Sequence, residues 1–248
     1  MWDGSQVFPL STRSLADLPG LRPGEQLQFG VSADHGQGPG KQVFILYAWA
    51  GEAETCRVWI LGVYRNVGET PLQQDIAAVI LMLRGWRLTP SRVARWHGDI
   101  NAKMNDTITR ALRVADPTWH GRMEKADKSS GAVVHGEHVI DDAVGRVVAG
   151  GLFSNPETGE EILVDDVPAL QVLNVAQDVV GAFETYKGKS RHEKPKNVMD
   201  AVRYGVTELL DLSAGDFDFD EANEEIPESP VVDVLDELGF DVGDGWED

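Results

Sequence analysis

Three apolar stretches follow one another early in the chain, and they most constrain what it can fold into. They are QLQFGVSAD (26–34), QVFILYAWA (42–50) and CRVWILGVY (56–64). Each is rich in β-branched and aromatic residues and is bounded by Gly, Pro or Glu, as strands usually are. The short connections between them predict three strands in an antiparallel meander.

The segments that follow predict helices packed on that sheet. PLQQDIAAVILMLRG (71–85) has apolar residues at helical spacing and ends at a Gly, which predicts a helix. SRVARWHGD (91–99) predicts a fourth strand that crosses over and lies parallel to the first. The sequence therefore predicts an α/β fold in which a mixed sheet is flanked by helices. Further helices are predicted at 105–115, 133–149, 168–186 and 198–210, and a hairpin at 151–164.

Composition bounds the class of protein. With 248 residues and 42% hydrophobic content, the chain can bury one sizeable core. No apolar run approaches the roughly 18 residues of a membrane span, and the N-terminus lacks the order of a signal peptide, so we expect no membrane association. Cys56 is the single cysteine, which excludes an intrachain disulfide and a cysteine-based metal site and suits a reducing cytoplasm. Any metal must be held by oxygen or His.

The net charge of −19 is unevenly distributed. From Asp211 to Asp248 there are 15 Asp and Glu and no Lys or Arg, which leaves 26 acids against 22 bases, or −4, for the rest. The acidic segment predicts a linker, and VVDVLDELGF after it has the spacing of a short helix that either docks on a partner or does nothing. We therefore predict an N-terminal extension (1–25), a main domain (26–212), and an acidic linker with a short C-terminal helix (213–248).

Three acidic residues stand where chemistry is expected. Asp34 ends the first predicted strand and precedes a Gly-rich turn, and Asp99 ends the fourth. If those strands are parallel neighbours, their carboxylates meet at one edge. Asp200 begins an otherwise apolar helix, where an acid can simply cap the helix or can supply a third carboxylate. Clustered carboxylates repel unless a cation neutralises them, and such oxygen ligands suit two Mg²⁺ or Mn²⁺ ions.

The order of elements, the two strand-end acids and the late stretch Asp200-Ala201-Val202-Arg203-Tyr204 together resemble a known family. It is the RNase H-like nuclease domain of the large terminase subunit of tailed bacteriophages, and the resemblance covers about residues 26–210. The first two acids are weak signals alone, whereas DAVRY at this place is fairly specific. The resemblance implies that Asp34, Asp99 and Asp200 are the catalytic metal ligands and that Arg203 and Tyr204 lock their helix to the sheet.

The resemblance also implies a biological setting. A chain of this kind would be a metal-dependent endonuclease that cuts concatemeric viral double-stranded DNA during genome packaging in the cytoplasm of the infected bacterial host. Its partners would be a packaging ATPase, the small terminase subunit and the portal. GQGPGKQ (36–42) lacks the spacing of a nucleotide-binding loop, so the motor is absent and we expect an excised nuclease piece or the product of a split gene.

Some positions depart from the family or leave a role open. Many members carry a His three residues before the third Asp, where this chain has Asn197, and nearby His192 could substitute for it. His35 could touch the scissile phosphate or be incidental. The paired acids Asp141-Asp142 and Asp165-Asp166 are predicted to be solvated.

Basic residues suggest where DNA binds. The segment KGKSRHEKPK precedes Asp200 and is either a solvated loop or a grip on phosphates. If it is solvated, the DNA path lies elsewhere, for example around Lys103, Arg122, Lys125 and Lys128. The predicted DNA-binding residues in the segment, called the basic loop below, are Lys187, Lys189, Arg191, Lys194 and Lys196.

Two other functions remain open. One is another RNase H-like nuclease, such as a junction resolvase, although DAVRY favours the terminase family. The other is a non-catalytic packaging adaptor, in which the acids are structural and the acidic tail binds a partner.

Overall fold

A seven-stranded mixed sheet forms the centre of the fold. The computed structural model describes residues 2–9, 14–36, 38, 40–68, 70–99, 101–126, 130–186 and 193–212. The described strands are β1 (Val7–Phe8), β2 (Gln28–Asp34), β3 (Val43–Ala50), β4 (Arg57–Arg65), β5 (Arg95–Gly98), β6 (Glu124–Lys125), β7 (Val147–Val148), β8 (Gly151–Ser154), β9 (Glu161–Val164), β10 (Val167–Pro168) and β11 (Leu170–Leu173). The described α-helices are α1 (Leu72–Gly85), α2 (Ala102–Ala115), α3 (Ser130–Gly145), α4 (Gln177–Thr185) and α5 (Glu193–Leu210).

The strand order of the sheet is β1-β11-β4-β3-β2-β5-β6. β2, β3 and β4 form the predicted antiparallel meander, and β5 lies parallel to β2 on its other side. If the five strands from β2 to β6 are numbered 1 to 5 along the chain, their spatial order in the sheet is 3-2-1-4-5. The fourth and fifth strands are parallel to the first. This arrangement is that of the RNase H-like fold and confirms the predicted fold class.

Helices cover both faces of the sheet and give two layers of core. On one face, α1 and α2 pack on residues such as Phe44, Leu46 and Trp59. On the other face, α3, α4 and α5 pack on residues that alternate with Phe44 and Leu46 along β3, such as Ile45 and Tyr47. All eight residues of β3 are buried, which explains why its sequence is a continuous apolar run and not an alternating one.

The predicted helix at 168–186 is wrong in its first part. Residues 170–173 form β11, a fully buried strand that lies parallel to both β1 and β4, and helix α4 starts only at Gln177. A short apolar run such as LQVL fits a buried strand or a buried helix equally well, and here the sheet decides. Likewise, the helix predicted at 133–149 ends at Gly145, and Val147 and Val148 pair with β10.

The N-terminal residues belong to the same core. β1 extends the sheet beyond β11, and Phe8 and Leu18 are buried in the layer under α1 and α2. The Trp59 indole donates a hydrogen bond to the carbonyl of Pro19. None of the helices in the described residues is long and apolar enough to cross a membrane.

Candidate active site

Two carboxylates stand at the same edge of the sheet because β2 and β5 are parallel neighbours. Ser32 is the register partner of His97, so continuing the register by two residues places Asp34 opposite Asp99. Asp34 is the last residue of β2, and Asp99 directly follows β5. The two side chains are only 6% and 9% exposed, which is unusual for acids.

Gly98 makes the close approach at this edge possible. A Cβ placed on Gly98 would lie 2.1 Å from Asn105 Oδ1 and 2.9 Å from His35 Nε2. Any side chain here would therefore displace the two groups that flank the acids.

Helix α5 brings the third candidate, Asp200, toward the same edge. Because α5 already begins at Glu193, Asp200 lies inside the helix and not at its start as the sequence predicts, so it does not cap the helix. The Ser32 hydroxyl donates a hydrogen bond of 2.6 Å to the carbonyl oxygen of Ala201, next to Asp200. At the opposite end of the strands, Arg95 of β5 pairs with Glu208 of the same helix. Helix α5 thus runs antiparallel to β2, and its first half lies over the end where β2 and β5 terminate.

The Asp200 carboxylate is paired within its own helix. Arg203 Nη2 donates to Asp200 Oδ1 at 3.0 Å, and the Arg203 side chain is only 6% exposed. The aliphatic stem of Arg203 packs where Gly136 of α3 has no side chain, since a Cβ there would lie 2.7 Å from Arg203 Cδ. Arg203 therefore contacts α3 and holds the carboxylate, whereas the resemblance implied that it locks the helix to the sheet.

A cavity of about 270 Å³ lies beside Asp200, between α3, α4 and α5. Its wall includes Trp2, Glu137, Tyr186 and Arg203. The Tyr186 hydroxyl donates a hydrogen bond of 2.7 Å to Glu137 Oε1. Burial, reinforced by this carboxylate, raises the pKa of Tyr186, so its hydroxyl stays protonated as a donor. No sequence pattern singled out Glu137, because it lies in a helix that carries no recognisable motif.

The donor chemistry of the edge suits a hard divalent cation, because carboxylate oxygens are the ligands that Mg²⁺ and Mn²⁺ prefer. Within the part of the chain that the structure describes, however, no three His, Cys, Asp or Glu side chains are grouped closely enough to hold an ion. Asp34 and Asp99 are neighbours, whereas the Asp200 carboxylate is engaged by Arg203. In this part of the chain the predicted set of three is therefore not assembled around a common point.

The remaining predicted residues fall into two groups. Lys187, Lys189, Arg191 and His192 lie outside the described residues, and so does the side chain of Lys194. Lys194 and Lys196 belong to helix α5 and not to a loop as predicted, because the helix starts at Glu193. Lys196 is exposed and Asn197 is half-buried.

Two of the alternative basic residues, Lys103 and Lys125, lie in α2 and beside β5. Lys125 is the register partner of Gly98, so it stands beside the acidic edge, and Lys103 lies in the first turn of α2. Arg122 is exposed, and Lys128 lies outside the described residues.

The paired acids outside this edge lie mostly in solvent. Asp141, Asp142, Asp165 and Asp166 are all exposed. Asp141 also borders the cavity beside Asp200, and Asp166 accepts a hydrogen bond from the backbone N–H of Gly150.

Comparison with known proteins adds one structural likeness. No protein-family model matches the chain, and no curated protein matches it significantly. The chain is structurally similar to the nuclease domain of g2p, the large terminase of bacteriophage SPP1, solved with bound Mn. The two share 18% sequence identity with a TM-score of 0.44, and the match covers 71% of this chain and 84% of that chain. At this level the likeness concerns the fold alone, and the fold class stands on the strand order described above.

Proposed function

We propose that this protein is a metal-dependent endonuclease that hydrolyses phosphodiester bonds in double-stranded DNA. The observation that carries the proposal is the burial of two acids, Asp34 and Asp99, at the adjoining ends of the parallel neighbours β2 and β5. Burying two ionised carboxylates side by side is unfavourable unless a cation is bound between them or nearby. A fold alone does not establish a function, so the proposal rests on this pair of residues.

The three acids would hold one or two divalent ions, Mg²⁺ or Mn²⁺. When bound, such ions activate a water molecule and stabilise the leaving oxygen of a phosphodiester. Asp34 and Asp99 supply oxygen atoms from a rigid, buried sheet edge, which keeps the donors oriented before substrate arrives.

Asp200 would supply its oxygen atoms from the helix side of the same edge. Its pairing with Arg203 limits its rotamers in the absence of a ligand. Turning the carboxylate toward the sheet edge requires this ion pair to open, and the buried guanidinium would then keep its cation–π contact with the ring of Tyr204, 4.9 Å away.

The biological role belongs to the proposal as well. The DAVRY stretch and the order of elements resemble the nuclease part of large terminases, which supports a role in cutting concatemeric viral DNA during packaging inside the bacterial host. The ATPase motor, the small terminase subunit and the portal would then act beside this chain. The basic loop would hold the phosphate backbone without reading sequence.

A non-catalytic packaging adaptor is the second candidate. It is favoured by the pairing of Asp200 with Arg203 and by the lack, among the described residues, of three acids around one point. In an adaptor the acids would be structural, and the acidic tail would bind the partner.

Cleavage of supercoiled plasmid separates the two candidates. We expect nicked and linear products with Mn²⁺ or Mg²⁺ and none after addition of a chelator. A variant carrying both Asp34→Asn and Asp99→Asn, purified identically, controls for a contaminating nuclease. If the protein cuts no DNA with either ion, the adaptor is the better account. If it leaves the plasmid intact but cuts a synthetic four-way junction, a junction resolvase is the better account.

A further inference from the structure

His35, the residue after Asp34, is held on both sides by amide side chains. His35 Nδ1 lies 2.9 Å from Gln42 Nε2, and His35 Nε2 lies 2.7 Å from Asn105 Oδ1. Gln42 and Asn105 are each only 3% exposed, and the imidazole is half-buried between them. A histidine in a Gly-rich turn is ordinarily solvated, so this burial calls for an explanation.

The hydrogen-bond directions in this group are determined by a backbone carbonyl. Asn105 Nδ2 donates to the carbonyl oxygen of Asp99 at 2.8 Å, and a carbonyl can only accept. The Asn105 amide is therefore oriented with its oxygen toward His35, so His35 Nε2 carries the hydrogen. Gln42 Nε2 then donates to His35 Nδ1. Both ring nitrogens are committed, which leaves no lone pair for a metal ion or for abstracting a proton.

The group connects several elements at the acidic edge. At one end, the backbone N–H of Gln42 donates to Asn66 Oδ1, and Asn66 Nδ2 donates to the carbonyl of Gly38. At the other end, Asn105 reaches the carbonyl of Asp99 from the first half of α2. The chain of hydrogen bonds thus starts beside the ends of β3 and β4, passes the residue next to Asp34, and ends on the backbone of Asp99.

We propose that His35 is a positioning residue. Clamped by Gln42 and Asn105, it acts as a strut that fixes the separation of the backbones that carry Asp34 and Asp99. The functional part of this inference rests on the proposed nuclease, while the strut itself is a property of the metal-free protein. A buried network with every partner satisfied is rigid, and metal ligands need positions fixed to within about 0.5 Å.

Two substitutions of His35 separate positioning from direct chemistry. His35→Ala removes both hydrogen bonds. His35→Gln keeps one donor for Asn105 and one acceptor for Gln42 but has no imidazole. Calorimetric titration with Mn²⁺ in the absence of DNA measures the effect on the metal site, and the metal concentration for half-maximal plasmid cleavage measures it during turnover.

We expect His35→Ala to weaken Mn²⁺ binding about 10–100-fold, as is typical when a group supporting the ligands is lost. His35→Gln should recover most of that affinity. The maximal cleavage rate at saturating Mn²⁺ should fall less than the affinity does. If His35→Gln is as impaired as His35→Ala, the imidazole acts directly and the strut is refuted. The strut is also refuted if His35→Ala binds Mn²⁺ like wild type.

A thermodynamic cycle tests the strut without any metal. Thermal unfolding is measured for His35→Ala, Asn105→Ala and the double variant in the presence of chelator. Residues joined in one network lose little more stability together than singly, whereas independent residues lose the sum. Additive losses in Tm would overturn the strut. If the losses are non-additive but wild type neither binds Mn²⁺ nor cuts DNA, the strut stands and the proposed nuclease fails.

Discussion

Replacing Gly205 by Ala adds one methyl group where α5 crosses the central strands. A Cβ on Gly205 would lie 2.6 Å from Tyr47 Cε1 and 2.7 Å from Ser32 Oγ. Both of those side chains are completely buried, so neither can move aside without displacing its own neighbours. We therefore expect α5 to shift outward and to lengthen the hydrogen bond between Ser32 and Ala201.

The magnitude follows from three opposing contributions. Overpacking a close contact costs about 1–3 kcal/mol. Weakening the hydrogen bond between Ser32 and Ala201 destabilises the protein by about another 0.5–1.5 kcal/mol. Ala in place of Gly inside a helix stabilises the protein by about 1 kcal/mol, which opposes the other two contributions. The net destabilisation is about 0.5–3.5 kcal/mol, which lowers Tm by roughly 1–14 °C in a domain of this size.

Gly181→Ala in α4 is the matched control, because apart from the adjoining backbone of α4 itself no atom of the described residues lies within 4 Å of the added methyl group. It keeps the favourable helix contribution without the clash, so it should raise stability by about 0.5–1 kcal/mol. Scanning calorimetry of both variants should therefore give shifts of opposite sign. A Gly205→Ala protein as stable as wild type would show that α5 is not packed closely on β2, and the placement of Asp200 at this edge would fall with it.

Two further predictions concern DNA binding. Deleting residues 213–248 removes 14 acids that repel DNA phosphates, so DNA affinity at low salt, measured by fluorescence anisotropy, should rise. Tm, measured by a thermal melt, should not change. If DNA affinity is also unchanged, the tail acts only as a tether. Replacing three lysines of the basic loop by Ala should flatten the slope of log K for DNA binding against log salt concentration by roughly 2–3 units if all three touch duplex DNA. The cleavage rate at saturating DNA should fall less than the DNA affinity does. An unchanged slope would mean that these lysines are solvated and do not contact DNA. The three are Lys187, Lys189 and Lys194.

The sequence was sufficient to predict the central part of the fold. The runs at 26–34, 42–50 and 56–64 are strands because β-branched and aromatic residues fill a sheet that is covered on both faces. It is insufficient at 168–186, where the sequence predicts a helix and the structure has β11, because a four-residue apolar run carries no periodicity to separate the two. The two-residue strands β1 and β6 gave no signal for the same reason.

The candidate site was predictable only in its positions along the chain. The strand ends at Asp34 and Asp99 follow from the element order, so their juxtaposition could be anticipated. The pairing of Asp200 with Arg203 is an i, i+3 contact within α5 that the DAVRY spacing allows, whereas the burial of Arg203 depends on how closely α3 approaches α5, which is a tertiary effect. The strut through His35 joins residues far apart in sequence, such as Asn105, and each of its members reads as an ordinary polar residue.

Single substitutions of the acids also differ in their expected effect on the metal-free protein. Asp34→Asn and Asp99→Asn relieve repulsion at the sheet edge, so Tm in chelator should hold or rise. Repulsion among three clustered carboxylates would by itself predict the same for Asp200→Asn. The structure leads us to expect a lower Tm instead, because that substitution leaves the buried Arg203 guanidinium without its carboxylate.

Calorimetric titration of Mn²⁺ into the wild type and into single acid variants tests the metal site most directly. The account predicts binding by the wild type and by the exposed control Asp165→Asn. It predicts loss of both Mn²⁺ binding and plasmid cleavage in Asp34→Asn, Asp99→Asn and Asp200→Asn, each still folded by circular dichroism. Binding and cleavage at wild-type level in Asp34→Asn or Asp99→Asn would contradict the assignment of the sheet edge as the metal site.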